Sequence, residues 1–250
     1  MTTLLAPPPP ARLPPVRPTV SFFGRTFEEY TRCFALDPAA LRRTAVLDVA
    51  AGPSSFTAEA VRRGIEAVAV DPLYDRPAAQ LALQVRADLR RTFAPMRARP
   101  QRFRRKSGPP FAAVAAARRL AAARFLADYD NNLRHGRYVR AALPVLPFLD
   151  QGFSLVLCAH LLFRHAARLD YAWHLAACRE LVRVSAREAR IHPVCGPGGR
   201  PYAEFERLCA DLAADGVRSD LVPVDYQGFT GSGRMFVLRR DRSLRRQAAA

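Results

Sequence analysis

Lysine is almost absent from this chain. Lys106 is the only lysine, so all but one of the 39 basic residues are arginines, and with 22 acidic residues the formal net charge is +17. A charge of this size favours partners such as nucleic acid, an anionic membrane surface or an acidic protein. The chain is also rich in alanine and proline, and a coding bias toward G and C bases produces all three features at once. The charge alone therefore assigns no partner.

Long apolar runs are also missing. No segment reaches the ~18 consecutive apolar residues of a membrane-spanning helix, so we expect no membrane partner. Residues 1–20 have neither the basic start nor the apolar stretch of a signal peptide, and their prolines predict an extended or disordered tail. Residues 241–250 are polar and predict a frayed tail. The stretch between them, 21–240, is long enough for one domain with a sizeable core.

Paired cysteines are lacking as well. The five cysteines include no C-x-x-C pair, and the five histidines and five cysteines are scattered singly, which predicts no metal site. Unpaired thiols are typical of a protein in a reducing compartment, so we expect a cytoplasmic location.

What the chain does contain is a strand, a tight turn and a helix at 45–63. Ala45–Val49 is apolar apart from Asp48, as is typical of a strand buried on both faces of a sheet. Ala50–Ser55 consists of small or turn-favouring residues. The backbone can therefore bend sharply here and approach a ligand, with helix N–H groups from Ser55 onward pointing at it.

A second strand, Ala67–Val70, follows and ends at a carboxylate. Asp71 comes 19 residues after Gly52. In nucleotide-binding βαβ units an acidic residue about 20 residues after the glycine turn meets a ribose hydroxyl. The spacing therefore predicts a nucleoside-binding site.

Five further strands are predicted after Asp71. Phe153–Cys158 is almost entirely apolar and should be central, and the others are 138–143, 189–194, 220–224 and 235–239. Glycines at 228–233 have hairpin chemistry, so the last two strands should be antiparallel. Residues 77–136 hold no convincing strand and predict a helical insertion, of the kind that forms a lid or substrate cap.

Helices are predicted by apolar periodicity and end signals. The predicted ranges are 21–34, 57–63, 171–184 and 202–216, and Asp37-Pro38 predicts the start of a short helix before the first strand.

Four short motifs resemble one class of protein. They are GRTFEEY at Gly24–Tyr30, AGPSSF at Ala51–Phe56, DPLY at Asp71–Tyr74 and FSLVLCAHLLF at Phe153–Phe163. With the alternating strands and helices, they resemble the class I S-adenosylmethionine-dependent methyltransferases, and more narrowly a bacterial methyltransferase-like family whose substrates are not defined. The resemblance implies an α/β, Rossmann-like, doubly wound seven-stranded sheet with an antiparallel last strand and a helical insertion between strands 2 and 3. It also implies that S-adenosylmethionine is the cofactor and binds across the carboxyl ends of the first four strands.

The resemblance also implies roles for individual residues. The D-x-G-x-G-x-G pattern of the class falls on Asp48, Ala50, Gly52 and Ser54, so small residues replace two of the three glycines. Asp48 and the turn would face the methionine portion of the cofactor, and Asp71 the ribose hydroxyls. The complete implied set of cofactor-binding residues is Asp48, Ala50, Ala51, Gly52, Pro53, Ser54, Asp71, Pro72, Leu73, Ala142 and Cys158.

Three of these residues are assigned by their place after a strand. Pro72 and Leu73 would lie against the adenine. Ala142 falls where many relatives place an acidic residue toward the adenine amine. Arg25 and Tyr30, in the first motif, are candidates to close over the cofactor.

His160 is the candidate catalytic residue. By the resemblance it lies beside the acceptor at the end of strand 4, next to Cys158. Because the sulfonium of the cofactor carries an activated methyl group, the protein need only align donor and acceptor and, for a poor nucleophile, remove a proton. An imidazole ordinarily titrates near neutral pH and suits that role. The leading hypothesis is methyl transfer to a small molecule, with the insertion shaping the acceptor pocket.

Two other functions fit the sequence. One is a non-catalytic binding protein of the same fold, associated with nucleic acid through its arginines. The other is a nicotinamide-dependent dehydrogenase, which fits Ala50, Gly52, Ser55 and Asp71 almost as well. The chain lacks a Tyr-x-x-x-Lys pair, because Arg102 lies four residues before Lys106. The terminal hairpin also favours the methyltransferase.

Overall fold

A seven-stranded mixed sheet forms the centre of the protein, seen in a computed structural model that describes residues 21–98 and 110–241, the side chain of Arg97 excepted. The strands are β1 (Ala45–Val49), β2 (Glu66–Asp71), β3 (Tyr138–Arg140), β4 (Phe153–Ala159), β5 (Ser185–His192), β6 (Val217–Pro223) and β7 (Arg234–Arg240). Their order across the sheet is β3-β2-β1-β4-β5-β7-β6. Neighbours from β3 to β5 pair in parallel, whereas β7 is antiparallel to both β5 and β6. The predicted fold class is confirmed by this order.

Helices cover the faces of the sheet and the region between β2 and β3. They are α1 (Phe27–Cys33), α2 (Phe56–Arg62), α3 (Ala78–Ala98), α4 (Phe111–Leu133), α5 (Tyr171–Val184) and α6 (Phe205–Ala214). The Asp170 side chain caps α5 by accepting a hydrogen bond from the backbone N–H of Trp173 at 2.8 Å. Among the described residues, no helix is both long enough and apolar enough to cross a bilayer.

The core is apolar where strands are covered on both faces. In β4 all residues except Ser154 are buried, which agrees with its central place between β1 and β5. Aromatic rings of α4, β3 and the segment after β2 form a second cluster at the β3 edge, where the Tyr74 and Phe125 ring centroids lie 5.6 Å apart.

Several sequence predictions differ from the observed elements. The helix predicted at 21–34 is confined to Phe27–Cys33, because Thr26 caps its start. The helix predicted at 202–216 runs from Phe205 to Ala214, and the strand predicted at 220–224 runs from Val217 to Pro223.

The strand predicted at 138–143 ends at Arg140, because the chain turns back and Ala142 pairs with Val145 in an isolated bridge. The strand predicted at 189–194 runs instead from Ser185 to His192: its polar first half forms ion pairs on the sheet surface, and Pro193, which lacks an N–H, ends it. Residues 38–43 form turns rather than a short helix.

The helical insertion predicted at 77–136 corresponds to α3 and α4, which pack on each other between β2 and β3. The predicted tails, apart from Asp241, and the middle of the insertion, 99–109, lie outside the described residues. That gap contains most of the arginine-dense part of the insertion.

Candidate functional site

The carboxyl ends of β1, β2 and β4 meet at one edge of the sheet. β1 lies between the other two, and Asp48 pairs in register with Ala69 of β2 and Leu157 of β4. Since parallel strands end at the same edge, Asp48, Asp71 and Cys158 are brought together there. The resemblance implied that these three residues lie near one another at this edge.

Asp48 is a fully buried carboxylate, and only one of its two oxygens forms a hydrogen bond. Its Oδ1 accepts a 2.9 Å hydrogen bond from the hydroxyl of Tyr30, and its Oδ2 has no hydrogen-bond partner. Burial raises the pKa of Asp48 well above its ordinary value; the Tyr30 bond lowers it and the nearby Asp71 raises it further. A buried acceptor in this state is expected to recruit a proton or a cation.

Asp71 is held at the end of β2 by two backbone donors. Its Oδ2 accepts from the N–H of Gly52 at 3.1 Å, and its Oδ1 from the N–H of Leu73 at 3.0 Å. Burial raises the pKa of Asp71 to about 6, although both hydrogen bonds lower it. Each oxygen retains a lone pair that can accept from a hydroxyl.

The turn between β1 and α2 is buried under the segment Phe22–Arg25, which we call the N-terminal strap. A Cβ added to Gly24 would lie 1.7 Å from the carbonyl oxygen of Pro53, so only glycine allows the two backbones to approach this closely. The strap thereby covers the region where the sequence predicted a ligand.

The polar groups of this turn are used within the protein. The Ser55 N–H donates to the carbonyl of Arg25 at 3.0 Å, and the Ser54 hydroxyl donates to the same carbonyl at 3.1 Å. The N–H of Phe56 donates to the Ser54 hydroxyl at 3.1 Å. The prediction that N–H groups from Ser55 onward point at a ligand is therefore wrong for Ser55 and Phe56. Ala50 and Gly52 take positive φ values of 57° and 54°, which shape the sharp bend.

Tyr74 also lies in this region, and the sequence analysis gave it no role. Its hydroxyl donates to the carbonyl of Gly52, and its ring packs among Phe125, Tyr129 and Tyr138. It ends the DPLY motif, which was the only signal for it. Pro72 and Leu73, between Asp71 and Tyr74, are half-buried.

Two predicted cofactor residues have surroundings that limit their roles. Cys158 is fully buried, and burial raises the pKa of its thiol well above the ordinary value, so it is a packing residue rather than a thiolate. Ala142 lies two residues beyond the end of β3, in the bridge with Val145.

His160 directly follows β4 and is fixed by its backbone. Its φ of 59° is uncommon for a non-glycine residue, and its N–H donates to the carbonyl of His192 at 2.6 Å. Both ring nitrogens are buried and lack hydrogen-bond partners. Burial lowers the pKa of His160 well below its ordinary value, and the charge of Arg25 lowers it further. The imidazole is therefore neutral, not titrating near pH 7.

Sequence reasoning missed the polar groups that surround His160. His192, at the end of β5, has its ring centroid 5.3 Å from that of His160, and Tyr226, before the hairpin turn, lies at 6.4 Å. Tyr226 donates to Glu29 of α1 at 3.2 Å, and Glu29 also accepts from Arg118 of α4 at 2.6 Å. No sequence spacing links residues so far apart in the chain.

Comparisons with known proteins gave few relatives in sequence and many in structure. No protein-family model matches the chain. The uncharacterized protein MJ0045 of Methanocaldococcus jannaschii is 27% identical over 220 residues, which cover 87% of this chain and 95% of that protein.

Several of the similar solved structures are described as methyltransferases. Magnesium protoporphyrin IX methyltransferase of Synechocystis PCC 6803, with bound S-adenosylmethionine, has a TM-score of 0.43 at 11% identity over 81% of this chain and 72% of its own. The 1,6-didemethyltoxoflavin-N1-methyltransferase of Burkholderia thailandensis has a TM-score of 0.41 at 17% identity, over 81% and 76%. A TehB-like S-adenosylmethionine-dependent methyltransferase of Corynebacterium glutamicum has a TM-score of 0.43 at 15% identity, over 81% and 86%.

Proposed function

We propose that the protein is an S-adenosylmethionine-dependent methyltransferase that acts on a small molecule in the cytoplasm. The observation that carries the proposal is the pair of buried carboxylates, Asp48 and Asp71, at adjacent strand ends of a sheet with this strand order. Sheets of this doubly wound type bind nucleoside-containing ligands outside the carboxyl ends of their strands. The five free thiols support the proposed compartment.

The residues at this edge fit the charge of the proposed cofactor. The partnerless Oδ2 of Asp48 is an acceptor that the methionine ammonium would satisfy, and Asp71 retains lone pairs for two ribose hydroxyls. When bound, the cofactor supplies an activated methyl group on a cationic sulfur. Two carboxylates in a buried site favour such a cation.

His160 is proposed to hold the acceptor by a hydrogen bond. A neutral imidazole offers one unprotonated ring nitrogen, and neither nitrogen of His160 is used by the protein. A hydroxyl or amine acceptor would donate a hydrogen bond to that nitrogen, which would align its lone pair with the methyl group; because burial lowers the pKa of His160, the imidazole orients the acceptor rather than acting as a strong base. Arg118 of α4 reaches the same region, which supports a role of the insertion in shaping the acceptor pocket.

Calorimetry on the full chain tests the cofactor. We expect S-adenosylmethionine and its demethylated product to bind, and Asp71→Asn to weaken both by about tenfold or more, since a charged hydrogen-bond acceptor is lost. Asp75→Asn is the matched control, because Asp75 is nearby but exposed, in a surface pair with Arg140. Binding of a nicotinamide dinucleotide in place of both sulfur compounds would overturn the proposal.

An activity screen then separates an enzyme from a binding protein. We expect methyl transfer from radiolabelled S-adenosylmethionine to a member of a small-molecule acceptor panel, abolished or strongly reduced in His160→Asn. The formal charge of +17 leaves nucleic acid as the other partner to test. Retention on RNA with a steep salt dependence, together with no transfer to any acceptor, would favour the binding protein.

A further inference from the structure

Arg25 of the strap is a half-buried cation that lacks an anionic partner. Its Nε is buried without a hydrogen bond, and no ion pair of Arg25 exists among the described residues. Burial lowers the pKa of Arg25, and the neighbouring Arg118 lowers it further. Because a half-buried charge without an ion pair costs free energy, Arg25 is better suited to binding a ligand than to stabilising the fold.

The charges around Arg25 do not balance. Glu29 is the carboxylate that faces it, and both Glu29 oxygens are already engaged by the guanidinium of Arg118. A third guanidinium, that of Arg164, donates to the carbonyl of Gly196 at 2.7 Å and lies 4.7 Å from the ring centroid of Phe229. Three cations thus face one anion, so this region carries a net positive charge.

The two histidines beside these arginines add unused hydrogen-bonding atoms. The Nε2 of His192 lies 2.8 Å from the carbonyl oxygen of Ser232, which can only accept, so Nε2 carries the proton and Nδ1 is an acceptor. That Nδ1 is buried and has no partner, as is true of both nitrogens of His160. A ligand that fits these atoms supplies hydrogen-bond donors to His192 Nδ1 and to the unprotonated nitrogen of His160, and an acceptor to the protonated nitrogen of His160.

We propose that the methyl acceptor carries an anionic oxygen group, a carboxylate or a phosphate, that pairs with Arg25 and places the acceptor nucleophile against His160. The planar guanidinium matches both groups with two parallel hydrogen bonds. The two parts of the site then have opposite charges: Asp48 and Asp71 face the cationic methyl donor, and Arg25 faces the anionic acceptor. The inference that this ligand is the methyl acceptor rests on the proposed function, whereas the inference that Arg25 binds an anion does not.

Matched fragments test the anion site by titration calorimetry on the full chain. The probes are benzoate, phenyl phosphate and the neutral benzyl alcohol. We expect at least one of the two anions to bind at millimolar concentration, the alcohol to bind at least about tenfold more weakly, and Arg25→Gln to abolish that difference. If only the phosphate binds, or only the carboxylate, the acceptor class is narrowed accordingly.

Control variants keep the test independent of folding. Arg25→Lys retains the charge without the planar fork and should keep part of the anion affinity. Arg179→Gln removes an exposed arginine that pairs with Asp215, and it should bind the anions as the unmodified chain does. Equal affinity for benzyl alcohol and the anions, or unchanged anion affinity in a folded Arg25→Gln variant, would overturn the proposal.

Titration of S-adenosylmethionine into the same variants separates the two proposals. If the cofactor binds with equal affinity to the unmodified chain and Arg25→Gln but no anion binds, the acceptor proposal fails and the methyltransferase proposal stands. If the anions bind through Arg25 but the cofactor does not bind at all, the methyltransferase proposal fails and the anion site stands.

Discussion

The Tyr30 hydroxyl donates a 2.9 Å hydrogen bond to Oδ1 of Asp48, while the other oxygen of this fully buried carboxylate has no partner. One neutral hydrogen bond does not compensate the desolvation of a charge. The folded protein therefore carries a cost at Asp48 that a bound cation would remove. Costs of this kind are concentrated at ligand sites.

Asp48→Asn is expected to stabilise the protein while weakening cofactor binding. The pKa of Asp48 is raised on folding, so its contribution to stability is present below its unfolded pKa of about 4 and is lost as the pH rises. At neutral pH the asparagine should raise the free energy of unfolding by about 1 kcal/mol. Thermal unfolding with and without S-adenosylmethionine measures both effects. A lower melting temperature in the variant at neutral pH would contradict the assignment, and Asp75→Asn should change neither quantity.

Asp71 is expected to make stability depend on pH between about 4 and 6. Burial raises its pKa to about 6 in the folded protein. Asp71 therefore makes its full contribution to the free energy of unfolding below its unfolded pKa, and this contribution is lost as the pH rises through 6. Two pKa units correspond to about 3 kcal/mol. Chemical unfolding across this range should show the loss in the unmodified chain and a flatter profile in Asp71→Asn. Parallel profiles for the two proteins would show that the carboxylate is not buried as described.

Glu29→Gln is expected to be strongly destabilising. Burial raises the pKa of Glu29, but the hydrogen bonds and charge of Arg118 more than offset this and lower it, so Glu29 stabilises the fold above its unfolded pKa and ceases to do so as the pH falls. The substitution leaves Arg118 buried without a counter-ion, at a cost of about 3 to 5 kcal/mol. Glu204→Gln breaks the exposed pair with Arg207 and should cost no more than about 0.5 kcal/mol. Urea unfolding compares the two; similar small costs for both would contradict the buried pair.

Gly24→Ala is expected to displace the N-terminal strap. The added Cβ would lie 1.7 Å from the Pro53 carbonyl, and such overpacking costs about 1 to 3 kcal/mol. Gly233→Ala is the matched control, because its Cβ would meet no atom within 4 Å. Hydrogen exchange should show faster exchange of the Ser55 amide, which donates to the strap, in the first variant only. Unchanged protection of Ser55 in Gly24→Ala would show that the strap does not depend on this contact.

Local sequence patterns were sufficient to predict several elements near the middle of the sheet. The observed β1 (Ala45–Val49) and α5 (Tyr171–Val184) have the predicted bounds, because an apolar run and an amphipathic period are local signals. The antiparallel last strand also followed from local glycines. Predictions failed at β3 and β5, where a backward turn and surface ion pairs decided the strand ends.

The sequence by itself determined where the candidate site lies. The 19-residue spacing from Gly52 to Asp71 brought these two residues into a hydrogen bond of 3.1 Å, since a βαβ unit of this length has little geometric freedom. Only the tertiary structure decided what surrounds that site. Arg118 meets Glu29 across 89 residues of chain, and His160 meets His192 and Tyr226 through three separate elements. Such contacts depend on how helices and strands pack, and packing also neutralised His160, turned the Ser55 amide toward the strap and left Arg25 without a counter-ion.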